Sequence, residues 1–133
     1  ASEVLKVQRK LSKDQLYFFN KMIKLTENFE TEIFKKKLSL NKIGKSIHDS
    51  WILKKKINPN SSNNSIDRFY NLGLKSGSYG GKLLGAGRGG FILFVTNKSN
   101  ASKIKFNLRK LKFVPIKFDK GGSRITYFDH SSI

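Results

Sequence analysis

Lys82 and Arg88 bracket a run of glycines whose bare backbone could come up against a phosphate, the densest group of chemistry-capable residues in the chain. Six glycines fall within the eleven residues from Gly80 to Gly90, set against Leu83-Leu84 on one side and Phe91-Ile92-Leu93-Phe94-Val95 on the other. Glycine in or beside a strand costs about 0.5–1 kcal/mol relative to alanine, so such a cluster answers a steric demand. Two demands fit: a tight hairpin turn, or a ligand that must approach the backbone. Successive N–H groups in a concave turn form an anion-binding nest, and the two cations add positive charge. The stretch has no GKS or GKT ending and no helix after it, which argues against a P-loop or a dinucleotide-binding fingerprint.

The other residues able to do chemistry are scattered. Lys82 is a candidate phosphate ligand and equally an ordinary solvated strand lysine. Trp51, a single tryptophan on an apolar helix face, suits a core. His48 stands one turn before Trp51, and His130 is too far away in sequence to complete ligand spacing, so no protein-borne metal site is expected. Asp14 and Asp119 lack the paired partner that general acid-base work needs, and read as cap and turn residues.

The composition narrows the classes. With 133 residues the chain fits one domain, and its lack of cysteine excludes disulfides and thiolate metal sites and suits a reducing cytoplasm. No signal-peptide pattern or apolar run of membrane-spanning length is visible, so a soluble cytoplasmic protein without membrane contact is expected. Twenty-seven basic against nine acidic residues give a net charge of +18, which raises nucleic acid as a partner. Twenty-two of these cations are lysines spread along the whole chain, and no RNP-like strand, zinc finger or KH loop accompanies them. That pattern reads as a solvated basic surface, not a nucleic-acid footprint.

The elements that must position the glycine run follow from periodicity. Leu16, Phe19, Met22, Ile23, Phe29 and Ile33 give helical spacing from Asp14 to Lys36, with Ser12 or Asp14 as cap. A second helix runs from about Leu40 to Lys56 with Leu40, Ile43, Ile47, Trp51 and Leu53 inward, and Lys54-Lys55-Lys56 suits the negative end of its dipole. Asn58 to Asn63 is a polar loop, and Asn64 with Asp67 reads as a capping-box variant. It opens a third helix striped by Ile66, Phe69, Tyr70 and Leu74, ended by Gly77 or Gly80. The glycine hairpin comes next, then a turn over Thr96 to Asn100 and a fourth helix from Ala101 to Lys112 facing Ile104, Leu108 and Leu111 inward. Val114 to Asp119 and Ser123 to Phe128 read as closing strands. The order predicts an α+β fold with helices on a mostly antiparallel sheet, preceded by a strand that lies upstream of Ala1.

With these elements in place, the motifs resemble the C-terminal domain of GHMP-type small-molecule kinases, most of all the D-glycero-D-manno-heptose 7-phosphate kinases. Ala1 to Leu5 matches the helix start after the family's last shared strand, His48-Asp49-Ser50-Trp51-Ile52-Leu53-Lys54 an HxSWxLK-like helix, and Ile66 to Tyr70 an IDxxY helix. Gly80 to Gly87 with Gly89-Gly90-Phe91 matches a GGKLLGAGxGGF hairpin, and Phe118 with Gly122-Ser123-Arg124-Ile125 the closing motif. The resemblance implies a ferredoxin-like sandwich over residues 1–133 and a kinase that moves the γ-phosphoryl group of ATP, with Mg²⁺, to a sugar phosphate. It further implies that the ATP-binding loop and catalytic residues lie in an N-terminal domain that this chain lacks, so no catalytic residue is assigned here. Gly85, Ala86, Gly87, Arg88, Gly89 and Gly90 would then lie beside the nucleotide phosphates, with Gly81, Lys82, His48 and Trp51 as substrate-side candidates. Arg88 stands where the family usually has glycine. The expected partners are ATP, a sugar phosphate and the N-terminal kinase domain; a stand-alone basic binding module or an inactive truncated kinase are the alternatives.

Overall fold

The computed structural model describes residues 13–36, 38–85, 87–117 and 121. Their element order is α1 (Lys13–Phe34), α2 (Leu40–Ile57), a single 3₁₀ turn (Pro59–Ser61), α3 (Asn64–Lys75), β1 (Gly80–Leu84), β2 (Phe91–Val95) and α4 (Lys98–Asn107). This is the expected α+β arrangement. β1 and β2 form an antiparallel two-stranded sheet in the register Gly80 to Val95, Lys82 to Leu93 and Leu84 to Phe91.

Local chemistry sets the helix ends. Ser39 caps α2 by accepting the Lys42 amide, and Asn63 caps α3 by accepting the Ile66 amide at 2.9 Å. The cap of α3 is therefore Asn63 and not Asn64, and Asp67 turns away from the helix start to accept hydrogen bonds from Lys55 and Ser62. α3 ends at Gly77, whose φ of 100° lets the Ser78 and Gly77 amides fold back onto the Gly73 and Leu74 carbonyls. Asn97 accepts the Asn100 amide at 2.8 Å and starts α4 at Lys98, so the turn expected over Thr96 to Asn100 is mostly helix.

The core is Trp51, Ile66, Tyr70 and Leu83, with Leu74, Ile92 and Phe94 packed around it. α2 lies almost backbone to backbone on β1. A Cβ added to Gly44 would collide with Tyr79, and one added to Gly80 would collide with the Gly44 carbonyl. Only glycine on both elements allows this approach, and it lets Trp51 reach zero exposure against Leu83.

Four expectations are corrected. Leu40, expected inward, is 49% exposed at the first turn of α2, where no described element covers it. On α1, Leu16, Phe19, Ile23 and Ile33 are exposed, while Phe18, Met22, Leu25 and Phe29 are half-buried. The helix carries two apolar stripes, and the one with spacing of three and four that includes Phe18 is the one facing inward. α4 stops at Asn107, leaving Leu111 exposed. Finally, residues 112–117 form no strand, with Val114 and Ile116 exposed, because no described strand lies alongside to complete a ladder and Pro115 has no N–H to give one. Ala1 to Leu5, Ser12, Phe118, Asp119 and the strand expected over Ser123 to Phe128 lie outside the described residues.

The crowding at Gly44 makes a signed prediction. Alanine in place of a mid-helix glycine ordinarily stabilises by about 1 kcal/mol. Here Gly44→Ala forces α2 off β1 and is expected to destabilise by about 2 kcal/mol or more, read as a lowered urea midpoint.

Candidate functional site

The glycine turn between β1 and β2 is assembled from left-handed backbone. Gly85, Gly87 and Gly90 have φ of 105°, 123° and 124°, and Arg88 has φ of 61°. An L-residue in that region costs about 1–2 kcal/mol, so the glycines fit the turn without strain and Arg88 does not. Ala86 lies outside the described residues. The turn leans on the 3₁₀ turn after α2: the Arg88 amide donates to the Ser61 carbonyl at 3.2 Å, and a Cβ on Gly87 would come within 2.8 Å of Ser61 Cα. Ser61 is itself buried, its hydroxyl donating to the Asn58 carbonyl at 2.7 Å. Gly89 is different, since a Cβ there would meet nothing within 4 Å.

The entry to the turn is held by a lysine. Lys54 Nζ donates to the Gly85 carbonyl at 2.7 Å across from the last turn of α2. Burial pushes the Lys54 pKa below the ordinary lysine value, and the nearby Lys82 charge lowers it further. Lys82 is half-buried on β1, and the Arg88 side chain is exposed at the tip. Lys54 thus holds the entry of the turn, and Arg88 stands at its exposed tip.

The remaining candidates are placed apart from this group. Trp51 is fully buried in the core, with its indole N–H unpartnered among the described residues and Lys55 above its ring. Gly81 is buried and its carbonyl accepts the Tyr70 hydroxyl at 3.0 Å. Since that hydroxyl has one proton and gives it to Gly81, the 2.7 Å contact from His48 Nδ1 to Tyr70 must be an Nδ1–H donating to the tyrosine oxygen. His48 also lines a cleft of about 480 Å³ between α1 and α2, together with Lys24, Asn28 and Asp49. At 100° per residue, His48 and Lys54 are about 120° apart around α2, so the cleft and the glycine turn occupy different flanks of the helix.

Lys54, Ser61 and Tyr70 carry this geometry and none stood out as a site residue in the sequence. For Lys54 the signal was its place at the end of the Trp51-Ile52-Leu53-Lys54 run, one turn beyond a core residue on the same helix. For Ser61 there was none, because a serine in a polar loop gives no sign that its carbonyl supports another loop.

Strand, glycine turn and strand are thus packed on the helices as one α+β unit. Residues 30–112, well over half of the chain, match the family model described as GHMP kinases C terminal, and the chain belongs to this family. Over 61 residues it is also 41% identical to D-glycero-alpha-D-manno-heptose 7-phosphate kinase of Campylobacter jejuni subsp. jejuni serotype O:2, a match that covers 46% of this chain and 17% of that protein. The chain thus spans a small part of the length of this relative.

Two outcomes test the geometry. Arg88→Gly removes a left-handed arginine and is expected to stabilise the fold by about 1 kcal/mol, read as a raised urea midpoint. Tyr70 gives a pH signature, because burial pushes its hydroxyl up to about 12 from the ordinary value near 10. The unfolded tyrosine ionises first, so the stability this group contributes is complete below about pH 10 and is lost as pH rises toward about 12. Tyr70→Phe is expected to remove that part of the alkaline slope.

Proposed function

We propose that this chain is the C-terminal part of an ATP-dependent sugar-phosphate kinase whose substrate is D-glycero-D-manno-heptose 7-phosphate or a closely similar sugar phosphate. Its family membership and its 61-residue likeness to the Campylobacter enzyme support the reaction class. The observation that carries the role of this chain is the glycine turn: anchored at Gly85 by Lys54 and at Arg88 by Ser61, yet open at Gly89. Phosphoryl transfer is catalysed chiefly by positioning and by fixed positive charge around the spread negative charge of the transferred group. A rigid turn with no side-chain wall admits phosphates to short range, and Lys54, Lys82 and Arg88 supply charge without a proton transfer.

In this reading the γ-phosphoryl group leaves ADP and bonds to a sugar hydroxyl. ATP when bound supplies that group, and this chain positions one side of it. The cationic turn fits the phosphates of a nucleotide. Among the described residues no three His, Cys, Asp or Glu side chains are grouped to hold a metal. The nucleotide-binding loop, the metal ligands and the base that takes the hydroxyl proton are assigned to another part of the protein. No described helix is long and apolar enough to cross a membrane.

The test is turnover by the intact gene product with ATP, Mg²⁺ and D-glycero-D-manno-heptose 7-phosphate, followed as ADP release. Gly89→Val places bulk where nothing in the fold opposes it, so a normal unfolding midpoint with activity lowered at least 100-fold is expected. Gly87→Val drives into Ser61 and is expected to lower stability as well. Equal turnover by the Gly89→Val variant and the parent would remove the turn from the phosphate site.

A further inference from the structure

Acidic residues stop at Asp67 and resume only at Asp119, whereas basic residues continue throughout. From Lys98 to Lys117, over α4 and the segment after it, the chain carries seven basic residues and no acidic one. The ion pairs among the described residues belong to Lys42, Lys45 and Lys55 of α2, and none reaches this stretch. Lysines that look evenly scattered in the sequence therefore differ in the fold: several on α2 have counter-ions, and those around α4 face water without them.

Two aromatic rings are set among these cations. α4 turns Ile104 inward and Ser102, Lys103, Lys105 and Phe106 outward. Phe106 is 67% exposed, and Phe113, just past the helix, is 61% exposed. Each ring has a cation against it: Arg109 Cζ lies 4.8 Å from the centre of the Phe106 ring, and Lys105 Nζ lies 4.0 Å from that of Phe113. Lys105 neighbours Phe106 in the helix and touches Phe113, so it joins the two rings into one patch.

The charge requires a polyanion, and the rings decide which. A small anion engages only the cations and leaves two phenyl faces in water. An anionic membrane takes a helix with a continuous apolar face, and the outward side of α4 has one apolar side chain, Phe106, among serine and lysine. A single-stranded nucleic acid uses both parts, its phosphates meeting Lys105 and Arg109 while its unstacked bases lie on the rings beside them. In a duplex the base faces are already stacked on one another and the rings find no partner.

We propose that Phe106 and Phe113, with Lys105 and Arg109, form a docking patch for a single-stranded nucleic acid. The patch uses no residue of the glycine turn and does not rest on the kinase reading.

The test is fluorescence anisotropy of a labelled oligouridine of about twelve nucleotides, titrated with the intact gene product at physiological ionic strength. Parent protein is compared with Phe106→Leu, Phe113→Leu, Lys105→Gln and Arg109→Gln. Binding by the parent is expected, with a loss of about tenfold in each leucine variant. Each glutamine variant is expected to lower the slope of log affinity against log salt by about 0.7. A duplex of the same length is expected to bind about tenfold more weakly than the single strand. Equal affinity in parent and leucine variants, or equal affinity for duplex and single strand, reduces the patch to diffuse charge and overturns the proposal. So does an absence of binding at this ionic strength, or sedimentation with phosphatidylglycerol vesicles in place of oligouridine binding, which makes the partner a lipid surface. Should a leucine variant fail to fold, the ring NMR signals of Phe106 and Phe113 in the unmutated protein decide: shifts at both on adding oligouridine support the patch, and shifts at neither overturn it. Turnover with ATP and the sugar phosphate is a separate readout, so this proposal and the kinase reading fail independently.

Discussion

Everything near the glycine turn depends on the contact between Gly44 of α2 and Gly80 of β1, two backbones with no side chain between them. It sets helix and strand in step. Ten helical residues from Gly44 to Lys54 advance about 15 Å at 1.5 Å each, and five extended residues from Gly80 to Gly85 advance about 16 Å at roughly 3.3 Å each. Lys54 therefore arrives opposite the Gly85 carbonyl without bending either element. The same alignment brings Trp51 over Leu83, so the core and the anchor of the turn are consequences of one close approach.

A second constraint ties α3 into this pair. Tyr70 places its ring against Trp51 and Phe94, and its hydroxyl bridges His48 of α2 and the Gly81 carbonyl of β1. A buried hydroxyl that both accepts and donates is satisfied in one orientation only, which pins three elements to one register. Burial of the ring drives the group and the two hydrogen bonds select its geometry. The close fit of Gly73 against the Phe94 ring continues the seam toward β2.

Charge is distributed on different terms. Lys42 and Lys55 make ion pairs to neighbouring helices and Lys56 lies over the Phe18 ring of α1, whereas Lys45 pairs with Asp49 one turn along α2 itself. The lysines at the end of α2 do not simply complement its dipole. Lys54 goes to the turn, Lys55 to Asp67 and Lys56 to α1, because consecutive helical residues point about 100° apart and meet three different neighbours.

The sequence by itself determined the helices from their apolar spacing, the hairpin from its glycines between apolar runs, and the family from several motifs in order. These signals are local, since propensity, capping and turn geometry act over a few residues. It could not determine which of the two apolar stripes of α1 faces α2, or that Val114 to Lys117 would lie beside no described strand, because burial and ladder pairing depend on partners remote in the chain. For the same reason the sequence marked Gly85 to Gly90 but not the Lys54 and Ser61 that hold them: a 2.7 Å bond across 31 residues exists only once helix and strand have packed. Tertiary structure decided which lysine of a common surface type became part of the turn, by the close approach of two glycines.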